Sequence, residues 1–187
     1  MSRGLRVVAG EARGVPLSAP DGSRPTTGRV REAVFSSLGD VIDMSVLDLY
    51  AGSGALAIEA LSRGAARALL VDSDRAAVAV CRRNLEATRL ASRARVTTVR
   101  VATLLGADPP AEAPFDLVVA DPPYDEPDDA VVAMLDALAA AGWLADGARV
   151  VVERASRTGL PSLPPGWGRV WERTYGDTLV AVFRLTA

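Results

Sequence analysis

A carboxylate followed by two prolines stands directly after an apolar run in residues 115–124, FDLVVADPPY. The apolar residues predict a buried strand that ends at Asp121. Proline has no backbone N–H, so neither Pro122 nor Pro123 can donate a hydrogen bond to the carboxylate from the turn. Each proline also favours an extended conformation in the residue before it. We therefore expect a rigid turn in which Asp121 keeps acceptor capacity for a ligand.

An amino group conjugated to an aromatic ring suits such a turn, because it has two N–H donors and a delocalised lone pair. The Asp121 carboxylate and a turn carbonyl, which we assign to Pro122, would accept both hydrogens and direct the lone pair towards an electrophile. The same acceptors bind more tightly as the nitrogen becomes positive in the transition state. Tyr124 would stack on the ring. The candidate catalytic residues are Asp121, Pro122, Pro123 and Tyr124.

A glycine-containing loop follows an earlier apolar run in residues 46–60, VLDLYAGSGALAIEA. Gly52 and Gly54 permit a tight turn after a strand and close approach of a ligand to the backbone. Asp72 ends the next predicted strand, 20 residues after Gly52. An acid at that distance commonly accepts hydrogen bonds from ribose hydroxyls, and ligands of such sheets bind beyond the carboxyl ends of the strands.

Two cofactors fit these glycines. Gly52, Gly54 and Ala57 satisfy the G-x-G-x-x-G/A pattern of dinucleotide sites, so an NAD-binding oxidoreductase is an alternative. Asp48, four residues before Gly52, favours the other interpretation. Its carboxylate would repel a pyrophosphate but would help to order or bind a group with a positive amine. S-adenosylmethionine has that amine and no phosphate, so the pattern favours a methyltransferase.

The composition excludes several kinds of chemistry. The 187 residues include no histidine and one cysteine, Cys81, so histidine bases, Ser-His-Asp triads and His or thiolate metal sites are excluded. We expect no metal, and we interpret Cys81 as a space-filling helix residue. A single cysteine and the absence of an apolar run of roughly 20 residues predict a cytoplasmic protein that makes no use of a membrane.

The charge is unevenly distributed. The net charge is −2, but residues 1–31 contain six arginines against Glu11 and Asp21. A basic end on an acidic body predicts a surface for an anionic partner, and arginine binds phosphates through two N–H groups at once. The candidate binding residues are Arg3, Arg6, Arg13, Arg24, Arg29 and Arg31.

The elements that position these residues follow from periodicity. Residues 5–20 predict a hairpin, and a helix capped by Thr27 and ended by Gly39 is expected to bury Val30, Val34, Phe35 and Leu38, with Arg29 and Arg31 off that face. Apolar strands then alternate with helices, which predicts a parallel sheet covered on both faces. The strands are expected at 45–50, 66–72, 95–101, 115–120 and 148–153, the helices at 54–64, 74–90 and 130–142, and a closing antiparallel hairpin at 168–175 and 178–185.

The motifs together resemble a known family. The LDLYAGSG loop, the acid ending the second strand and DPPY resemble class I S-adenosylmethionine-dependent methyltransferases that act on amino nitrogens. More narrowly, RVVAGEARG, RPTTGRVREAVFSSL, VLDLYAGSGALAIEALSRGA, DPPY and YGDT resemble the bacterial ribosomal small-subunit methyltransferase D family over nearly the whole chain. The resemblance implies methylation of the N2 amino group of one guanine in 16S ribosomal RNA, within an assembled small-subunit particle.

The resemblance also implies an architecture and a site. We expect a Rossmann-like α/β methyltransferase fold, a seven-stranded sheet in the order 3-2-1-4-5-7-6 with strand 7 antiparallel. Residues 1–40 would be an RNA-facing hairpin and helix extension, and residues 41–187 a methyltransferase domain. Nothing in the sequence demands more than a monomer. Ala102 stands where relatives generally have Asp or Asn against the adenine, so Thr103 or a backbone carbonyl would replace it. The implied cofactor-binding residues are Asp48, Ala51, Gly52, Ser53, Gly54, Asp72, Ser73 and Thr103.

Other substrates remain open at this point, because a DPPY turn suits any planar amine. Adenine N6 in DNA or RNA and the glutamine side chain of a protein are alternatives of the same chemistry. A catalytically silent RNA-binding assembly module is an alternative of another class.

Overall fold

A computed structural model describes residues 4–22, 27–123, 125–140 and 142–186. Within them a mixed sheet is formed by β1 (Ser45–Leu49), β2 (Arg67–Asp72), β3 (Ala94–Thr98), β4 (Phe115–Ala120), β5 (Leu144–Ala155), β6 (Trp167–Tyr175) and β7 (Thr178–Leu185). The helices are α1 (Gly28–Leu38), α2 (Ala55–Ser62), α3 (Arg75–Ala87), α4 (Val101–Leu105) and α5 (Asp128–Leu138), with a short 3₁₀ turn at Ala91–Arg93.

The expected sheet order is confirmed. The strands lie in the order β3-β2-β1-β4-β5-β7-β6. The first five strands of the chain pair in parallel, and β7 pairs antiparallel with β5 and with β6. The carboxyl ends of β1, β2 and β4 therefore lie side by side at one edge, and this is the edge where the glycine loop and the DPPY turn begin.

The structure differs from the prediction around the third strand. That strand ends at Thr98, and the apolar residues beyond it begin helix α4, which the sequence pattern did not indicate. Val101 and Leu105 are buried one helical turn apart. An apolar run this short fits a strand or a buried helical turn equally well, so periodicity cannot distinguish the two.

The N-terminal segment folds back on itself as expected. Val7 N donates to Val15 O at 3.0 Å, and Gly14 N donates to Val7 O at 2.9 Å. The pairing amounts to one antiparallel bridge, between Arg6 and Pro16, and not to a pair of full strands. Three side chains of the segment are buried in the same hydrophobic cluster as residues of α1 and α2, namely Val7, Ala12 and Leu17.

A buried carboxylate in α2 attaches this segment to the sheet domain. Glu59 is fully buried and accepts hydrogen bonds from Val8 N at 2.8 Å and Ala9 N at 2.9 Å. Arg63 Nε donates to the same carboxylate at 2.8 Å. Charge-assisted hydrogen bonds of this kind offset the cost of removing a carboxylate from water. Glu59 thus fixes the segment where the chain would otherwise leave backbone N–H groups without partners.

The prediction that Arg31 lies off the buried face of α1 is wrong. Arg31 is 1% exposed, its Nη2 donates to Arg6 O, and its Nε lies 3.9 Å from Glu59 Oε2. Burial lowers the pKa of the Arg31 guanidinium, whereas Glu59 and Glu153 raise it. The position is three residues before Val34, on the helix stripe that faces the core. Arg31 is therefore an internal ion-pair residue and is not placed to contact RNA.

Gly10 offers a test of how closely the N-terminal segment packs on α2. It has a φ of +81°, and a Cβ there would lie 1.8 Å from Ser62 O. Gly14 has a similar φ of +84°, but a Cβ there would have no heavy atom within 4 Å. The backbone strain of about 1–2 kcal/mol is therefore common to both alanine variants. We expect Gly10→Ala to lower the free energy of unfolding by a further 1–3 kcal/mol, roughly the cost of overpacking.

Urea unfolding of the two variants, together with the rate of trypsin cleavage at Arg6 and Arg13, measures that difference. Gly10→Ala should also expose the segment to cleavage faster than Gly14→Ala does. Equal stability and equal cleavage rates would show that the segment does not depend on this contact.

Candidate active site

The loop after β1 has a backbone that few side chains tolerate. Tyr50, Gly52 and Gly54 have positive φ values of 60°, 55° and 74°. A Cβ at Gly54 would lie 2.8 Å from Cys81 Sγ and 2.9 Å from Leu70 Cδ2, so only glycine fits there. At Gly52 the nearest atom to such a Cβ would be 3.9 Å away. Gly52 therefore leaves one side of the loop open.

Asp48 holds the loop from below. It is 1% exposed, and its Oδ2 accepts a hydrogen bond from Ala57 N at 3.1 Å. Ala57 is in the first turn of α2, whose N-cap residue Gly54 has no side chain to cap the helix. Burial raises the pKa of Asp48 to about 8; the Ala57 N–H opposes this, and the charges of Asp121 and Asp72 add to it. This contact connects Asp48 to the first turn of α2. The expected contact of Asp48 with a cationic amine stays a prediction.

Asp72 fixes the outer side of the same loop. Its Oδ2 accepts from Gly52 N at 2.8 Å, and its Oδ1 accepts from Asp74 N at 2.9 Å. Each carboxylate oxygen has two acceptor positions, so these two bonds leave capacity on both. Ser73, the next residue, is exposed at the bend before α3. Asp72 therefore shapes the loop and can still accept hydroxyl donors from a ligand.

Two residues that the sequence analysis did not assign to the site support the loop from α3. Asn84 is 2% exposed; its Nδ2 donates to Ser53 O and to Ser18 O, each at 2.8 Å, and its Oδ1 accepts from Ser18 N at 2.8 Å. It thus connects the loop to the N-terminal segment. Cys81 is buried with Sγ 3.5 Å from Gly52 O, and burial raises the pKa of its thiol. A polar residue on the apolar stripe of α3 was the available signal for Asn84, since buried amides need partners.

The DPPY turn begins beside the glycine loop. Ala120 pairs with Leu49, and Asp121 N donates to Leu49 O at 3.4 Å. The two motifs are therefore one strand spacing apart, about 4.8 Å. Asp121 is half-buried, Pro122 is buried and Pro123 is exposed. Tyr124 lies outside the residues that the structure describes.

The segment after the turn is held from two sides. Tyr50 OH donates to Glu126 Oε1 at 3.3 Å, which connects it to the glycine loop. Arg154, which is 3% exposed near the end of β5, donates to Glu126 O at 2.8 Å and to Asp128 Oδ1 at 2.6 Å. Burial of the Tyr50 side chain, together with the negative charge of Glu126, raises the pKa of Tyr50 to about 12. Neither Glu126 nor Arg154 was predicted from the sequence; the arginine directly after the apolar residues 148–153 was the available signal.

The remaining candidates are more widely spread. Thr103 is exposed in α4, beyond the end of β3. Arg6, Arg13 and Arg29 are exposed, and Arg6 Nη1 donates to Gly14 O at 3.0 Å. Arg3 and Arg24 lie outside the described residues. Among the residues that the structure describes there is no cluster of three or more His, Cys, Asp or Glu suited to a metal ion, and no helix has the length and apolarity to cross a membrane.

Comparisons with known proteins agree over nearly the full length. Residues 5–184 match the family described as conserved hypothetical protein 95. The chain is 39% identical over 186 residues to ribosomal RNA small subunit methyltransferase D of Escherichia coli K12, covering 98% of this chain and 91% of the relative. A protein of the same name from Haemophilus influenzae is 31% identical over 176 residues, covering 92% and 89%. The solved structure of Escherichia coli yhhF has a TM-score of 0.84 at 35% identity and covers 98% of both chains.

Proposed function

Because the chain belongs to the family described as conserved hypothetical protein 95 and is 39% identical to ribosomal RNA small subunit methyltransferase D of Escherichia coli, we propose that it is an S-adenosylmethionine-dependent ribosomal RNA methyltransferase. We further propose that its acceptor is the exocyclic N2 amino group of a guanine in 16S ribosomal RNA. The single observation that best supports methyl transfer to an amino nitrogen is the hydrogen bond from Asp121 N to Leu49 O. It brings the DPPY turn beside the glycine loop, which is the adjacency that methyl transfer from a nucleoside cofactor to an amine requires.

The described residues fit S-adenosylmethionine on chemical grounds. The loop has an open side at Gly52, and Asp72 has acceptor positions left for ribose hydroxyls. The buried Asp48, with a pKa of about 8, lies below the loop, where a nearby cationic amine would favour its ionised form. A pyrophosphate on the same loop would lie near the carboxyl groups of Asp48 and Asp121. When bound, S-adenosylmethionine supplies an electrophilic methyl group on a positively charged sulfur.

Asp121 and the Pro122 carbonyl would position the acceptor. Each accepts one of the two N–H groups of the amine, which turns the nitrogen lone pair out of conjugation with the ring. Both contacts strengthen as positive charge develops on nitrogen, so they favour the transition state over the bound substrate. The methylated nitrogen is acidic enough to lose its proton to water, so no histidine base is needed. Well-aligned reactants gain about 7–11 kcal/mol from proximity and orientation.

The rest of the chain would hold the RNA. A guanine must be unpaired or extruded from its stack before its amino group reaches the turn, at a cost of a few kcal/mol. The exposed arginines Arg6, Arg13 and Arg29 would contact flanking phosphates and make the affinity fall with salt. An assembled small-subunit particle, which presents one base in a fixed geometry, would offset the overall charge of −2.

Methylation of small subunits from a strain that lacks this protein, compared with subunits from its parent, tests the proposal. We expect label from S-adenosylmethionine to enter only the 16S RNA of the deletion-strain particles, as N2-methylguanine by mass spectrometry. Equal labelling of both particles would contradict the ribosomal assignment. Label in adenine or in a protein glutamine would establish one of the alternative acceptors. Tighter calorimetric binding of NADH than of S-adenosylhomocysteine would exclude a methyltransferase altogether.

A further inference from the structure

A trough runs between helix α1 and strand β6. Two adjoining clefts form it, and both are lined by Arg29, Arg173 and Tyr175. Its remaining walls are Thr27 and the β6–β7 turn at one end, and Glu32 and Trp171 at the other. We call this surface the α1–β6 trough.

The β6 wall alternates aromatic and basic side chains. Strand β6 lies at the outer edge of the sheet. Side chains two residues apart on a strand share one face, at a spacing of about 6.8 Å, so Trp171, Arg173 and Tyr175 form a row. The Arg173 guanidinium carbon lies 5.6 Å from the centre of the Tyr175 ring. Both aromatic rings are half-buried, while Arg173 is exposed. The rings are thus held by the protein while part of each remains accessible.

The trough opens at the same edge of the sheet as the candidate active site. Strand β7 begins at Thr178, which pairs with Ala155 at the carboxyl end of β5, and Ser156 N donates to Asp177 O at 2.8 Å. The β6–β7 turn therefore stands at the edge from which Asp121 projects. Three strand spacings separate β4 from β6 in the order of the sheet, about 14 Å. That is a distance that a short stretch of extended nucleic acid can span.

We propose that the α1–β6 trough binds a single-stranded stretch of RNA adjacent to the target nucleotide. Trp171 and Tyr175 stack on bases, and Arg29 and Arg173 contact phosphates. A row of rings interleaved with arginines is the arrangement by which proteins bind single strands, where stacking provides about 1–3 kcal/mol per base. Glu32 and Asp177 also line the walls, so the trough as a whole is not strongly basic. Stacking, supplemented by two phosphate contacts, is therefore the main source of its affinity.

This inference rests on the proposed function, because it assumes an RNA substrate. It adds a site in the C-terminal hairpin to the arginines of residues 1–31, and it gives a role to the region around the YGDT sequence. The trough is offset from the methyl-transfer site. Substitutions in the trough should therefore weaken the affinity for the RNA substrate and leave cofactor binding unchanged.

Arg173→Gln and Tyr175→Leu test the trough, with Arg169→Gln as the matched control. Arg169 is on the same strand and exposed, but it pairs with Glu172 and is not part of the trough lining. We expect both trough variants to raise KM for small subunits about tenfold, with kcat and S-adenosylhomocysteine affinity within twofold of wild type. The salt dependence of RNA binding should fall by about one unit of log–log slope for Arg173→Gln. Arg169→Gln should leave KM and slope unchanged.

The outcomes separate the two proposals. If wild-type protein does not methylate 16S RNA, the proposed function fails regardless of the variants. If wild type is active and both trough variants behave like Arg169→Gln, the trough proposal is wrong and the function stands. Should Tyr175→Leu lower the melting temperature, the exposed Arg173 provides the test on its own, and an unchanged KM for Arg173→Gln would likewise contradict the trough.

Discussion

Replacing Asp121 with alanine is expected to lower kcat for methyl transfer by about 10²–10³-fold, the typical effect of removing one preorganised polar contact to a developing charge. The variant should still bind S-adenosylhomocysteine, because the loop is held by Asp72 through Gly52 N and by Asp48 through Ala57 N. Calorimetry and single-turnover methylation of small subunits measure the two quantities separately. The expected signature is thus an intact cofactor affinity with a greatly reduced chemical step.

Two further variants make that result specific. Asp125→Ala removes an exposed carboxylate of the same segment, and we expect its kcat to stay within about twofold of wild type. Asp121→Asn retains one acceptor oxygen but presents N–H groups beside the amine, so it should remain strongly impaired. A kcat near wild type for Asp121→Ala would contradict the assignment and would favour another catalytic residue or a silent binding module. A loss of cofactor affinity in the same variant would instead place Asp121 in the cofactor site.

The positions of the two motifs followed from local pattern. Apolar runs that end in Asp72 and Asp121 predict strand ends, and parallel strands bring their carboxyl ends to one edge. The glycine at position 54 was expected for its backbone conformation. A second requirement for glycine at this position is the closeness of Cys81 and Leu70, which belong to a helix and a strand that are distant in sequence. Local patterns are therefore sufficient to predict where the two motifs lie, but they do not specify the packing around them.

The charged residues in the interior could not be predicted in the same way. Arg31, Glu59 and Arg154 are each 3% exposed or less, although arginine and glutamate are usually at the surface. Their burial is stabilised by partners that the fold brings from elsewhere, such as Val8 N for Glu59 and Glu126 O for Arg154. Because partners such as these are distant in sequence, a helical or strand pattern does not by itself indicate that the residues are buried. The apolar stripe of α1 therefore predicts Arg31 off the buried face, where the folded chain does not place it.

Asp72→Ala is expected to weaken S-adenosylhomocysteine binding by at least about 100-fold. Hydrogen bonds to a charged group contribute about 1.5–3 kcal/mol each, so two ribose hydroxyls that lose this acceptor account for a change of that size. The variant also leaves Gly52 N without its carboxylate partner, which loosens the loop that contacts the ligand. The effect should therefore exceed that of lost ribose contacts alone.

Asp74→Ala is the control for this change, because Asp74 lies in the same turn and caps α3 by accepting from Ala76 N at 2.8 Å. Loss of that cap costs about 1 kcal/mol of stability and should leave cofactor affinity within about threefold of wild type. A similar loss of affinity in both variants would mean that the turn, and not the Asp72 carboxylate, determines binding. If Asp72→Ala binds S-adenosylhomocysteine as tightly as wild type, the nucleoside does not bind at this loop. The adjacency of the loop to Asp121 would then no longer support methyl transfer, since the two halves of the site act only if one of them holds the donor.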